Sequence, residues 1–357
     1  MVRRPALPTH PRLRSWSTGA LALVTLLPAC KDSPTSVTAG QELAQVAAAI
    51  APATVGAHVA WLAADERLGR RTPGPGLAAS ADYVAGVFRE AGLAPGGDDG
   101  SFLQRWPCEG VSGDDRPANV IAWRLGSDPH LASEWVVLTA HYDGLGIRQP
   151  DARGDSIYNG ADDDASGTAA LLEVARAFSR LRRPPARSVA FVATSGEELG
   201  LVGSWWFVAH PPAAMSDMVA NVNLDMVGRN ASDQLYAFGQ AWSSVGAAAA
   251  ATSQAHPELG FSLVGLTNED HAFERSDHFP FADAGIPAVF LNTGNEADYH
   301  HPSDEAATID NEKLSRVSRL TFFLVHELAS RPERPSWNAS WNDVRASFKP
   351  TRGTCRR

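Results

Sequence analysis

The chain has 357 residues, a formal net charge of −9 and 44% hydrophobic residues. This acidic balance, without a basic stripe interleaved with aromatic residues, argues against a nucleic-acid partner. The hydrophobic content is sufficient for one large core once residues 1–40 are set aside.

The first part of the chain, residues 1–30, has the layout of an export signal. Basic residues precede an apolar stretch over residues 21–29, which is too short to cross a bilayer as a helix. The stretch ends at Cys30, and residues 27–30 resemble a bacterial lipobox, in which the cysteine is lipidated. An ordinary signal peptide cut near Ala29 is the alternative. We therefore expect an exported protein, either a periplasmic or cell-surface lipoprotein attached to the membrane through Cys30, or a secreted one.

Two further segments flank the central part of the chain. Residues 31–40 are rich in Ser, Thr and Pro, which predicts a flexible tether. Residues 331–357 contain several prolines and a basic end, which predict an irregular C-terminal tail. Cys108 and Cys355 could pair in an oxidising compartment, but the sequence leaves open whether they come within bonding distance.

Helix and strand patterns alternate through the central part of the chain. Apolar spacing predicts helices over residues 41–64, 79–93, 167–181, 203–212, 242–256 and 311–329. Runs rich in β-branched and aromatic residues predict strands over residues 119–126, 134–142, 188–196, 218–228 and 286–294. The alternation predicts an α/β fold, a three-layer α/β/α sandwich on a mostly parallel sheet. No internal repeat is evident.

Five side chains of the metal-ligating type follow the apolar runs, spread over about 160 residues. Ligands of α/β sheets bind at the carboxyl ends of the strands, so these side chains can converge although they are far apart in sequence. They stand in the strings TAHYD (139–143), NGADDDASG (159–167), TSGEELG (194–200), NLDMVGR (223–229) and DYHHPSD (298–304). The candidate ligands are His141, Asp163, Glu198, Asp225 and His300.

The ligand types indicate a hydrolase with two zinc ions. Zinc binds imidazole nitrogen and carboxylate oxygen, and a pair of zinc ions needs one bridging carboxylate, which the aspartate run 162–164 can supply. Glu197 directly precedes a candidate ligand, so it can face a polarised water as the general base while Glu198 faces a metal. Any one of these residues alone would have a structural interpretation. The five strings together predict a metallopeptidase.

The same strings resemble the M28 family of zinc aminopeptidases, of the secreted bacterial leucyl-aminopeptidase type, and the similarity covers nearly all of residues 55–328. The resemblance implies a zinc peptidase domain over residues 41–330, with an α/β/α sandwich on a mixed sheet of about eight strands. It implies two zinc ions per chain and peptide substrates. Asp163 would bridge the two ions. His141 and Asp225 would bind one of them, and Glu198 and His300 the other.

The resemblance also implies roles for three residues beside the ligands. Glu197 would be the general base, Asp143 would orient the imidazole of His141, and Tyr299 would stabilise the oxyanion. A cis peptide bond is expected after the bridging aspartate. His301 stays a second candidate for the last ligand, because it is adjacent to His300.

Other interpretations stay open at this point. Glutaminyl cyclases share the fold but resemble a one-zinc arrangement, and carboxypeptidases of the same superfamily hold the other end of a peptide. A non-catalytic binding relative would lack a ligand or the base, and none is missing. Residues 275–281 (RSDHFPF) contain Ser, Asp and His side by side, but adjacent residues cannot form a serine triad, so we expect a cavity wall there. Substrate preference and oligomeric state are not readable from the sequence.

Overall fold

The structure, a computed structural model, describes residues 38–356. The predicted signal peptide over residues 1–30, including Cys30, and most of the predicted tether over residues 31–40 lie outside the described residues. The α-helices are α1 (Ala39–Ala48), α2 (Pro52–Leu62), α3 (Pro75–Glu90), α4 (Gly167–Arg180), α5 (Val202–Ala209), α6 (Ser244–Ala255), α7 (His278–Asp283), α8 (Asn311–Ser330) and α9 (Ala339–Val344). The strands are β1 (Ala94–Pro95), β2 (Leu103–Arg105), β3 (Ala118–Arg124), β4 (Trp135–His141), β5 (Gly146–Ile147), β6 (Ile157–Tyr158), β7 (Ser188–Thr194), β8 (Met218–Leu224), β9 (Gln234–Phe238), β10 (Ser262–Leu266) and β11 (Ala288–Asn292).

Most of the strands form one mixed sheet, in the order β1-β3-β7-β4-β8-β11-β9-β10, with β2 paired to β3. The central strands β7, β4, β8 and β11 are parallel. Antiparallel pairs join β3 to β7 on one side and β9 to β11 on the other. β5 and β6 form a separate antiparallel ribbon. The predicted mixed sheet of about eight strands in an α/β/α sandwich is confirmed.

Helices cover both faces of the sheet, and each face has its own apolar core. Every residue of β4 is buried, which explains its continuous apolar run. Val136 and Leu138 point to the larger core, under α2, α4 and α8, while Val137 points to the smaller core, under α5 and α7. Burial on both faces fixes the register of β4 and therefore the position of His141 at its carboxyl end.

The helix predicted over residues 41–64 is two helices. α1 ends at Ala48, and α2 begins at Pro52. Proline has no N–H to donate and is suited to the first turn of a helix, so it begins α2 and does not extend α1. No single helix among residues 38–356 meets the length and hydropathy of a membrane span, although α1 and α2, bent by 47°, do so when counted together.

The C-terminal residues 331–356 are not irregular throughout, which corrects the predicted tail. They contain α9, whose Trp341 is buried. The Trp341 ring stacks on Trp337 with the ring centroids 3.8 Å apart, and it packs near Trp242 and Phe273. The prolines and the basic end of this segment suggested an irregular tail, whereas its few large aromatic residues pack on the domain.

A disulfide fixes the end of this segment. Cys355 is bonded to Cys108, which answers the pairing question that the sequence left open. Nearby, the N–H of Gly353 donates to the carbonyl of Gly200 at 3.0 Å. A side chain at position 353 would clash with the backbone of Leu199, so the close approach requires glycine. The C-terminal segment therefore braces the loop that follows β7.

We expect the double variant Cys108→Ser/Cys355→Ser to have a free energy of unfolding lower by about 2–5 kcal/mol, because the bond restricts the unfolded chain across a long loop. The sequence separation of the two cysteines is 247 residues. Urea unfolding followed by circular dichroism measures the change. Adding a reductant should destabilise the wild type but not the variant. Equal unfolding midpoints of the oxidised wild type and the variant would contradict the expectation.

Candidate metal centre

Neighbouring parallel strands bring candidate ligands to one edge of the sheet. His141 ends β4, Asp225 directly follows β8, and Glu198 lies in the loop after β7. Because β7, β4 and β8 are adjacent and parallel, their carboxyl ends meet at the same edge. Asp163 comes from the loop before α4, and His300 from the loop after β11.

The carboxylate of Asp163 lies between the two histidines. Its Oδ1 is 3.2 Å from Nε2 of His141, and its Oδ2 is 3.0 Å from Nε2 of His300. Oδ1 of Asp225 lies 3.8 Å from Nε2 of His141, and Oε2 of Glu198 lies 3.6 Å from Nε2 of His300. Two groups of three side chains result, and both contain Asp163.

The donor atoms of both groups fit metal ions. Within each group they lie within 4.8 Å of one another. Both ring nitrogens of His141 and Oε1 of Glu198 are buried and have no hydrogen-bond partner among residues 38–356. An unpaired buried polar atom costs about 1–3 kcal/mol, so a cation held by these atoms would remove that cost. Imidazole nitrogen with carboxylate oxygen is a donor set that suits zinc.

Of the two adjacent histidines, His300 faces the site. His301 is exposed, and its Nδ1 lies 2.8 Å from the backbone carbonyl of Tyr299. His300 has a positive φ of 59°, which turns its ring toward Asp163. The ring of Tyr299 stacks on that of His300 with the centroids 3.8 Å apart. The geometry therefore favours His300 over His301 as the candidate ligand.

Hydrogen bonds from the surrounding backbone fix the aspartate run. The peptide bond between Asp163 and Asp164 is cis, as the family resemblance implied. The Asp164 carboxylate accepts from the N–H groups of His141 and Gly167, at 3.2 and 2.8 Å. The carboxylate of Asp304 accepts from the N–H groups of Asp162 and Asp163, at 2.9 and 3.1 Å. Asp304 lies within the string DYHHPSD, but the sequence analysis did not single it out.

Arg70 was also missed by the sequence analysis. Its side chain is fully buried and donates to the backbone carbonyls of Leu62, Tyr142, Asn159 and Gly160, at 2.6–2.9 Å. It thus ties the end of α2 to the residue after β4 and to the start of the aspartate loop. Arginines in the string DERLGRR have the appearance of a solvated surface, so no sequence signal marked this one as buried.

Residues 275–281 form part of the wall of the site, as expected. Oγ of Ser276 donates to Oδ2 of Asp225 at 2.6 Å, and it accepts from Nδ2 of Asn223 at 2.7 Å. This pair of contacts leaves Oδ1 of Asp225 directed at His141. His278 of the same segment is buried between Phe273 and Phe290 and lies outside both ligand groups.

Asp143 and Glu197 lie beside the ligand groups. Oδ1 of Asp143 is 3.6 Å from Nδ1 of His141 and accepts from the N–H of Glu197 at 3.2 Å. The Glu197 carboxylate forms no hydrogen bond within residues 38–356, and it lines the cavity over the site. Burial raises the pKa of Glu197 well above its ordinary value. His141 opposes this shift, while Glu198 adds to it.

A cavity of about 200 Å³ opens over both groups. Its wall combines carboxylates with an apolar part and a few neutral polar groups. It is formed by Asp163, Glu197, Glu198, Asp225, Met226, Phe238, Ala272, Arg275, Ser276, Phe290, Asn292, Asn295, Tyr299 and His300.

Comparison with known proteins identifies the family. Residues 119–325, more than half of the chain, match the model of peptidase family M28. The chain belongs to this family. All five candidate ligands of this M28 peptidase chain lie within the matched residues.

Similar proteins include named peptidases. The M28 chain is 32% identical over 215 residues to aminopeptidase YwaD of Bacillus subtilis, covering 56% of this chain and 42% of that protein. It is 31% identical over 291 residues to leupeptin-inactivating enzyme 1 of Streptomyces exfoliatus, covering 78% of this chain and 56% of that protein. The chain thus spans about half the length of these relatives. The LapA aminopeptidase of Legionella pneumophila shares the fold, with a TM-score of 0.65 at 19% identity, over 83% of this chain and 77% of that one.

We expect Arg70→Met to lower the free energy of unfolding by about 3 kcal/mol or more, because it leaves several buried carbonyls without a donor. Urea unfolding measures the change. Arg67→Met is the matched control, since the Arg67 guanidinium lies over the Trp61 ring at 4.3 Å and its loss should cost about 1 kcal/mol or less. Similar losses for the two variants would show that the carbonyl contacts of Arg70 contribute no more to the free energy of unfolding than the contact of Arg67 with Trp61.

Proposed function

We propose that this M28 chain is a dinuclear zinc aminopeptidase that hydrolyses N-terminal residues from peptides. The observation that carries the proposal is the position of Asp163, which directs one carboxylate oxygen at each of two histidines. Each histidine has a second carboxylate beside it, so neither ligand group is incomplete. A bridging carboxylate between two mixed nitrogen and oxygen donor sets is what a pair of catalytic metal ions requires.

Each residue of the site has a part in holding the ions. His141 and Asp225 would hold one zinc ion, Glu198 and His300 the other, and Asp163 both. When bound, zinc supplies Lewis acidity that polarises the scissile carbonyl and lowers the pKa of a bound water. Asp143, close to Nδ1 of His141, would orient that ring so that Nε2 stays directed at Asp163.

Glu197 and Tyr299 would perform the proton and charge chemistry. Glu197 lines the cavity without a hydrogen-bond partner among the described residues, so its carboxylate is free to accept a proton from the attacking water. It would then pass this proton to the leaving amine. Burial raises the pKa of Tyr299, which keeps its hydroxyl protonated and able to donate to the oxyanion. Nη2 of Arg275 lies 3.2 Å from that hydroxyl and fixes its position.

The cavity supports an aminopeptidase over the alternatives. Phe238, Phe290 and Met226 offer an apolar surface for the side chain of a first residue, and the carboxylates of the same cavity attract a free ammonium group. A carboxypeptidase would hold a carboxylate there. Two complete ligand groups also favour hydrolysis over the glutaminyl-cyclase-like reaction, which resembles a one-zinc arrangement.

Export is part of the proposal. The layout of residues 1–30 predicts a signal peptide, with Cys30 as a candidate site of lipid attachment. The bond between Cys108 and Cys355 supports an oxidising compartment, since disulfides persist mainly outside the cytoplasm. Substrates would then be peptides of the periplasm or the cell exterior.

The ligand assignment predicts zinc contents that differ between variants. Metal-free wild-type protein titrated with zinc should bind about two ions per chain. Asp163→Ala should weaken both sites, whereas His300→Ala should weaken only one, because each histidine belongs to one ligand group. Isothermal titration and elemental analysis measure the contents. His301→Ala is the matched control and should bind like the wild type. Equal effects of His300→Ala and His301→Ala would reject the assignment.

The proposed base gives a second prediction. Glu197→Gln should lower kcat for leucine p-nitroanilide by about 10²–10⁴-fold, because the amide cannot accept a proton. Its zinc content should stay at the wild-type value, since Glu197 belongs to neither ligand group. Glu333→Gln, at an exposed position in the C-terminal segment, is the control. Loss of zinc together with activity would instead make Glu197 a ligand.

A further inference from the structure

A second cavity, of about 240 Å³, opens beside the metal centre and carries two arginines, Arg71 and Arg148. Of the residues around the first cavity, which opens over the ligand groups, only Glu198 also lines this one. Glu198 therefore stands between two cavities of different character. The second one extends past Asp143 and Leu145, away from the apolar wall of the first.

Arg71 is held by its backbone and by the stem of its side chain. The preceding residue, Arg70, is fixed by its buried carbonyl contacts. The backbone of Arg71 pairs with Gly144 in the loop after β4. A Cβ atom at Gly146 would lie 2.5 Å from Cβ of Arg71, so the absence of a side chain there makes room for the arginine stem. Only the guanidinium end is left to move.

Arg148 is held on the other side of the cavity, directly after β5. Its N–H donates to the carbonyl of Ser156 at 3.0 Å, and its Nε donates to the carbonyl of Leu145 at 3.1 Å. The bond to Leu145 places the Arg148 guanidinium beside a residue that lines the cavity. Both arginines are exposed, and neither forms an ion pair within residues 38–356. Two guanidinium groups without an ion-pair partner among the described residues thus line this cavity, beside the carboxylates of Asp143 and Glu198.

The charges of the two cavities differ, and the difference sets a direction for a bound peptide. The first cavity presents carboxylates of the metal centre and one arginine, Arg275, which already contacts the hydroxyl of Tyr299. An ammonium group is attracted more strongly to that cavity, where four carboxylates stand beside one arginine, than to the cavity of Arg71 and Arg148, where Asp143 and Glu198 balance the two arginines. The first residue of a peptide would therefore lie in the first cavity, and the leaving portion would pass Glu198 toward the two arginines.

We infer that Arg71 and Arg148 form a subsite for a carboxylate on the leaving portion of the substrate. The guanidinium fork matches the geometry of a carboxylate and can bind it through two parallel hydrogen bonds. The inference rests on the proposed aminopeptidase function and adds a substrate class, peptides whose leaving portion is anionic. The carboxylate is either the C-terminus of a short peptide or an acidic side chain.

The experiment compares substrates that differ in one charge. The zinc-loaded full chain is assayed with Leu-Gly-Gly and with its C-terminal amide, and with Leu-Asp-Gly-amide and Leu-Asn-Gly-amide. At least one anionic member should have a kcat/KM about five- to tenfold higher than its neutral partner, through KM. The first pair reports the C-terminus and the second pair the side chain. The preference should shrink as the salt concentration rises.

The double variant Arg71→Gln/Arg148→Gln should bring this ratio close to one. A ratio of two substrates in the same preparation is independent of a general loss of active protein. Arg183→Gln/Arg345→Gln, two exposed arginines away from both cavities, is the matched control and should keep the wild-type ratio.

Hydrolysis with ratios near one for both wild-type pairs would overturn the subsite alone, and so would a preference that the double variant keeps. Absence of hydrolysis of all four peptides would overturn the proposed function, and the subsite with it.

Discussion

The carboxylate of Asp163, with one oxygen directed at each histidine, is the contact on which the rest of the site depends. A single side chain can serve two ligand groups only if its position is fixed on both sides. Hydrogen bonds to the backbone N–H and carbonyl groups of the aspartate loop fix it. The carboxylate of Asp304 accepts from the N–H groups of Asp162 and Asp163, and Arg70 donates to the carbonyl of Gly160 at the start of the loop. Asp163 is thus positioned by hydrogen bonds that do not use its own carboxylate oxygens, which stay available for metal ions.

This arrangement brings several carboxylates together in a buried site, and burying their charges costs free energy. Burial raises the pKa of Glu198 and of Asp164 well above the ordinary values, because the charged carboxylates lose water there. Asp164 satisfies its oxygens with backbone N–H groups, whereas Oε1 of Glu198 has no partner among the described residues. The ligand carboxylates therefore gain the most from bound cations, and metal binding should contribute to the stability of the fold as well as to catalysis.

Strands buried on both faces could be predicted from the sequence. Short strands, and side chains whose partners are backbone groups or distant residues, could not. Strands buried on both faces have continuous apolar runs, so β4, β7 and β8 could be predicted together with the residues that follow them. β9 and β10 were not predicted, since short strands with mixed exposure lack such a run. Arg70 could not be predicted either, because its four partners are backbone carbonyls, which any sequence provides. The aromatic packing of the C-terminal segment could not be predicted either, because its partners are distant in sequence.

The supports of the metal centre also explain why its surroundings divide into two cavities. The loop after β7 carries Glu197 and Glu198, and the N–H of Gly353 in the disulfide-fixed C-terminal segment holds that loop from behind. This loop places Glu198 in the wall shared by the first cavity, over the ligand groups, and the second cavity, of Arg71 and Arg148. Carboxylates predominate in the wall of the first cavity, whereas the second cavity sets Arg71 and Arg148 beside Asp143 and Glu198. Under the proposed function, the ammonium group of a peptide would lie where carboxylates predominate, and a carboxylate after the scissile bond would lie near Arg71 and Arg148.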